Sequence, residues 1–87
     1  MAWKIELSRE AEKSLAKLGS DDAKRIAKGL REVAALESPR QRGEAMVGNH
    51  AGHWRYRFGD FRAIARLEDG RMVILVIAVG HRREVYR

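Results

Sequence analysis

Arginine recurs in the second half of this chain at the spacing by which a strand turns alternate side chains to one side. Arg55 and Arg57 alternate with Trp54, Tyr56 and Phe58, Arg62 and Arg66 follow in the next apolar stretch, and Arg82 and Arg83 lie near the end. A planar guanidinium matches the two-oxygen edge of a phosphate. The chemistry these residues offer is therefore the holding of a polyanion, RNA foremost, with a solvated basic surface as the alternative. His81 is the one side chain among them whose ordinary pKa suits proton transfer near neutrality. It is either a proton carrier or a histidine packed in a loop. Tyr86, beside Arg82, is suited to stacking on a base.

Other chemistries find little support. There is no cysteine, which removes thiol catalysis, thiolate metal sites and disulfides. His50 and His53 have a ligand-like spacing but no thiolate or clear acidic partner, so no metal is expected. Ser8, Ser14, Ser20 and Ser38 read as caps and turns, without a nucleophile elbow. No glycine loop of the P-loop or dinucleotide type is present, and no cofactor is implied.

The elements that must position these groups can be read from periodicity. Residues 2–7 alternate as a half-buried strand, with Trp3, Ile5 and Leu7 on one side. Ser8 caps a short helix striped by Ala11, Leu15 and Leu18, and Gly19 ends it. Ser20 is expected to cap a second helix that runs to about Leu36 before Ser38-Pro39, making an antiparallel pair with the first. Residues 38–52 read as a long loop. Three strands follow, over 53–58, 61–68 and 71–79, joined by two-residue turns at Gly59-Asp60 (type II′) and Asp69-Gly70 (type I′). The expected fold is α+β in a single domain, 1–87: an N-terminal strand, a helical hairpin and a three-stranded meander. The meander is antiparallel, and together these form a four-stranded sheet with the helices packed on one face.

Two-residue turns fix register. They place Phe58 opposite Phe61, Arg57 opposite Arg62, Glu68 opposite Arg71, Leu67 opposite Met72 and Arg62 opposite Ile77. One face then gathers Trp54, Tyr56, Phe58, Phe61, Ala63, Ala65, Leu67, Met72, Ile74, Val76 and Ala78, and should meet the helices. The other gathers Arg55, Arg57, Arg62, Ile64, Arg66, Arg71, Val73, Leu75 and Ile77. Like charges directly opposite in a sheet cost roughly 0.2–1 kcal/mol, so the Arg57–Arg62 pair gives the fold nothing, whereas a bound phosphate would reverse its sign. Charge distribution points the same way. The chain carries 18 basic and 12 acidic residues, a net +6, and residues 53–87 contain eight arginines and no lysine.

The segments Trp54-Arg55-Tyr56-Arg57-Phe58-Gly59-Asp60-Phe61-Arg62, Val79-Gly80-His81-Arg82-Arg83-Glu84-Val85-Tyr86-Arg87 and Glu37-Ser38-Pro39-Arg40 together resemble the RelE/ParE superfamily of bacterial toxin–antitoxin toxins, the RelE branch in particular. That resemblance implies a ribosome-dependent, metal-independent mRNA endoribonuclease. It would use the ribose 2′-OH as nucleophile and leave a 2′,3′-cyclic phosphate and a free 5′-OH. It implies catalytic roles at Arg57, Arg62, Arg82 and Tyr86, to which His81 is added on its chemistry. Arg55, Arg66 and Arg83 are the substrate-binding set. RelE-type toxins often carry lysine where this chain has Arg55 and Arg57. Arginine keeps its charge at any working pH, so Arg57 is expected to clamp phosphate rather than accept a proton.

The partners so implied are an acidic RelB-like antitoxin, the ribosome with its mRNA, and operator DNA only as a toxin–antitoxin complex. No apolar run is long enough for a membrane span, and a cytoplasmic location is expected. The rival readings are a ParE-like inhibitor of DNA gyrase and a nucleic-acid-binding module without chemistry.

Overall fold

Ser8 shows how the first elements form. Its Oγ accepts from the amide of Ala11 at 3.0 Å, opening helix α1 (Arg9–Lys17) directly after strand β1 (Lys4–Leu7), with Glu10 and Glu12 in the favourable first turn. The computed structural model describes residues 3–81. Helix α2 (Ser20–Ala35) follows after Leu18 and Gly19. The expected cap at Ser20 is not made. Gly19 holds the cap position and Ser20 is already helical, because the two-residue link starts the helix one position early; Asp21 and Asp22 still supply first-turn charge.

The sheet has five strands rather than four. Beyond the helices come β2 (Glu44–Ala45), β3 (Trp54–Phe58), β4 (Phe61–Glu68) and β5 (Val73–His81), in the spatial order β1-β5-β4-β3-β2. β1 runs parallel to β5, and every other pairing is antiparallel. The additional strand arises inside residues 38–52, which the sequence reads as loop. Ser38 caps a 3₁₀ turn over Pro39–Gln41, accepting from the Arg40 amide while its own amide donates to Gln41 Oε1. The chain then lies against β3 for two residues before a second 3₁₀ turn, Gly48–His50.

The helices cover one sheet face. Ala11, Ile26, Leu30 and Val33 pack on Tyr56, Phe58, Ala63, Ala65, Ile74, Val76 and Val79. Gly29 permits this contact: a Cβ there would sit within the Phe58 ring's van der Waals envelope. Trp54, Phe61 and Leu67 flank the cluster, partly buried.

Register agrees with expectation on one side of β4 and departs on the other. Gly59 at φ +65 makes the two-residue turn, and Phe58–Phe61 and Arg57–Arg62 are opposed as expected. The β4–β5 connection is longer. Residues 69–72 all lie outside the ladder, the amides of Arg71 and Met72 bond back to Glu68 and Asp69 carbonyls, and Met72 takes φ +52. Glu68 therefore faces Val73 rather than Arg71, and Leu67 faces Ile74 rather than Met72. A bulge follows at Ile77. Ala65 pairs with Val76, but Ile64 pairs with Ala78, and Arg62 with Gly80 rather than Ile77. The Ser8 hydroxyl donates to the Ile77 carbonyl at 2.9 Å and so satisfies the bulged backbone. One inserted residue exchanges the two faces downstream. Val79 enters the core in place of the expected Ala78, and His81 comes opposite Phe61 on the helix side.

Candidate functional site

Four arginines occupy the sheet face away from the helices, Arg55 and Arg57 from β3 and Arg62 and Arg66 from β4, and they differ in how they are held. Arg62 is 9% exposed. Its Nη1 donates to the carbonyls of Gly59 and Phe61, each at 3.0 Å, so the guanidinium folds back over the β3–β4 turn. That settles the like-charge pair: Arg62 is drawn onto carbonyl dipoles while Arg57 reaches outward, with 62% of its side chain exposed. Arg66 is exposed and lies 3.9 Å from Glu68. Arg71, placed among the open-face arginines by the shorter turn, instead belongs to the connection and binds Glu68 at 2.6 Å and Glu6 at 3.0 Å.

Sequence reasoning missed Glu44. It pairs in register with Arg55 across β2–β3. Its Oε1 accepts from Arg55 Nη2 and also from Arg57 Nη2 at 3.3 Å. The bond from Arg55, reinforced by the charges of Arg55, Arg57 and Arg62, holds the Glu44 carboxyl below the usual range. The sequence did carry a signal: Glu44 is the one acidic residue between Ser38 and His53, in the segment nearest a strand of alternating arginines.

The backbone that delivers Glu44 is fixed from the core side. Gly43 takes φ +76, and a Cβ there would crowd the Arg55 carbonyl and lie 2.7 Å from Trp54 Nε1 and 2.8 Å from Tyr56 Cδ1. Trp54 Nε1 donates to the Arg42 carbonyl at 2.7 Å, and Tyr56 Oη donates to the Pro39 carbonyl at 2.6 Å. Burial pushes the Tyr56 phenol well above its ordinary pKa, which suits a structural donor. Arg40 of the same segment forks onto Asp69 at 2.8 and 3.0 Å. A cavity of about 370 Å³ results, lined by Arg42, Gly43, Glu44, Arg55, Tyr56 and Arg57. Among the described residues, its charged lining is three guanidiniums and one carboxylate.

His81 is not part of this group. It lies edge-on to Phe61, ring centroids 6.0 Å apart, and lines a separate cavity of about 320 Å³ with Ser14, Lys17 and Leu18 of the helical layer. The bulge at Ile77 is the cause, because without it His81 would have fallen on the arginine side. His53 Nδ1 lies 3.2 Å from the His50 carbonyl, and no group of three or more potential metal ligands gathers among the described residues. Arg82, Arg83 and Tyr86 lie outside the described residues. No described helix is long and apolar enough to cross a membrane.

Comparison with known proteins adds to this geometry. A family model described as the ParE toxin of type II toxin–antitoxin systems, parDE, matches residues 5–86. A search of curated proteins returns no match. Among solved structures, the isolated Escherichia coli RelE toxin is 31% identical, with a TM-score of 0.76 over 98% of this chain and 92% of that one. A chain of the intact E. coli RelBE toxin–antitoxin complex is 26% identical, with a TM-score of 0.72 over 92% and 96%. A chain of the RelBE2 toxin–antitoxin complex of Mycobacterium tuberculosis shares the fold at 19% identity, with a TM-score of 0.85 over 97% and 95%. With a family match running nearly end to end and the same strand–helix–helix–sheet framework in a 31%-identical toxin, the chain belongs to the RelE/ParE superfamily of toxins of type II toxin–antitoxin systems.

Proposed function

We propose that this toxin cuts mRNA on the ribosome and is neutralised by an acidic, RelB-like antitoxin that covers its basic face. The observation that carries the proposal is the convergence of Arg55 and Arg57 on a single carboxylate oxygen. Two guanidiniums arranged to share one anionic oxygen are arranged equally well for a phosphate oxygen.

In the reaction, the ribose 2′-oxygen attacks the adjacent phosphorus as its proton departs. The bond from phosphorus to the 5′-oxygen breaks, that oxygen takes a proton, and a 2′,3′-cyclic phosphate remains. Arg57 and Arg55 hold the non-bridging oxygens, and Arg62 adds positive charge beside Arg57 as negative charge develops in the transition state. Arg66 and Arg83 contact the flanking backbone, Arg82 stabilises the leaving oxygen, and Tyr86 stacks on a base. His81, facing the helices, carries no step. Activation of the 2′-OH falls to the field of the arginines and to groups of the ribosome. Operator DNA would be met only by the toxin–antitoxin complex.

The family match names a ParE toxin, so inhibition of DNA gyrase is the second reading. The 31% identity to E. coli RelE favours the first. Translation with purified ribosomes and supercoiling by purified gyrase, run side by side, separate them. Stalled translation with unimpaired supercoiling is expected, and the opposite pattern would assign the chain to gyrase.

A further inference from the structure

A carboxylate stands inside the arginine cluster. Glu44 is half exposed, and its strand of two residues contributes nothing to the core. Its position is nevertheless strongly determined. The loop reaches it through Gly43, which no other residue can replace without displacing Trp54 or Tyr56, and both of those aromatics hold the loop by hydrogen bonds to its carbonyls. The oxygen so delivered receives one N–H from each of the two guanidiniums best placed to hold RNA. Arg55 is the more enclosed of the two, with 23% of its side chain exposed against 62% for Arg57.

A carboxylate oxygen and a non-bridging phosphate oxygen make the same demand on a guanidinium. Both cannot take the same pair of N–H groups at once. We propose that Glu44 is an intramolecular competitor for the phosphate site of Arg55 and Arg57: it occupies that site in the free protein, keeps the two like-charged side chains aligned, and yields it when an RNA phosphate arrives. The inference rests on reading this face as the RNA-binding face.

The competitor is tethered, so it acts at a fixed effective concentration whatever the solution holds. A single phosphate met in solution must outcompete it alone. A strand presented with several phosphates in place at neighbouring arginines displaces it more readily. Glu44 thereby lowers affinity for stray RNA more than for RNA held in a fixed geometry, and it sets specificity without touching a base.

The test is binding of a fluorescent single-stranded RNA decamer with 2′-O-methyl riboses, which cannot be cut through the 2′ position, measured over a salt series without ribosomes. Glu44→Gln should bind several-fold more tightly than the unsubstituted protein. Its dependence of log affinity on log salt should steepen by about 0.7, the increment for one further neutralised phosphate on a single strand. In an Arg55→Gln/Arg57→Gln background the gain from Glu44→Gln should largely vanish, which separates competition at the shared site from a general loss of negative charge. If Glu44→Gln does not fold, Glu44→Asp gives the same reading, because its shorter stem withdraws the carboxylate and affinity should again rise.

Equal or weaker binding by the folded variant, a gain that persists without both Arg55 and Arg57, or absence of binding by every variant at low salt would each overturn the proposal. Failure of the protein to cut ribosome-bound mRNA would overturn the proposed function while leaving this comparison standing, since it involves neither ribosome nor cleavage.

Discussion

Arg57 and Arg62 face one another across a hairpin, yet they are unlike residues. Arg62 is folded onto two carbonyls and Arg57 extends to a carboxylate. The opposition was legible because Gly59-Asp60 allows one register only, but the resolution was not, since it depends on carbonyl directions that sequence does not encode. His81 shows the reverse. Its chemistry suggested a proton carrier, and its ring lies on the helix side of the sheet, away from the arginines of β3 and β4. His81→Ala should therefore leave the pH–rate profile of mRNA cleavage unchanged, including the limb near about pH 6–7 where an ordinary histidine titrates. Loss of that limb, in single-turnover cleavage on programmed ribosomes, would place His81 in the reaction. Two of the carboxylates paired with arginine make a further prediction. Hydrogen bonds from Arg55 and Arg40 lower the pKa of Glu44 and Asp69 respectively. A depressed folded pKa contributes stability that is present above the unfolded value and lost as pH falls through the folded one. Melting temperature should therefore owe nothing to these pairs' titration between neutrality and about pH 4, and should fall below it. In Glu44→Gln the acid-side fall should be shallower, as melting curves between about pH 2 and 7 would show.

The elements divide by how local their causes are. α1 was readable because its cap, Ser8, precedes it directly. The bulge in β5 was not, because the same hydroxyl meets the Ile77 carbonyl across 69 residues of sequence. Asp69-Gly70 signals a two-residue turn, but the chain extends to four residues with Met72 in the left-handed region. β2 is two residues long, too short for any alternation to show. Gly29, inside α2, lies against the Phe58 ring of β3. Gly29→Ala would normally favour a helix by about 1 kcal/mol, but here the methyl meets the Phe58 ring. Overpacking of this kind costs about 1–3 kcal/mol, so a net loss of stability is expected in chemical denaturation. Gly29→Ala combined with Phe58→Leu should recover part of it, and a stabilised single variant would show that the helix–sheet contact is looser than described.

At the scale of the whole molecule, one sheet face serves stability and the other serves charge. The helical layer buries Tyr56 and Phe58 of β3, and the pleat then turns Arg55 and Arg57 to the opposite side, Arg57 into solvent. Packing thus fixes the direction of the site, which is why the fold class and the arginine face were legible together, while Glu44, delivered by a glycine-dependent loop, was not. The net charge of +6 suits a partner made of phosphates and an inhibitor made of carboxylates. The central claim is that this face cuts RNA and does not merely bind it. It is tested most directly by adding purified protein to ribosomes stalled on a defined mRNA and mapping both the position and the chemistry of the new ends. The account predicts a cut within the ribosome-bound codon, with a 2′,3′-cyclic phosphate upstream and a 5′-OH downstream. The cut should be lost when the ribose at that position is 2′-deoxy and greatly slowed in folded Arg57→Ala. Intact mRNA with wild-type protein bound, or cleavage that survives the 2′-deoxy substitution, would contradict it.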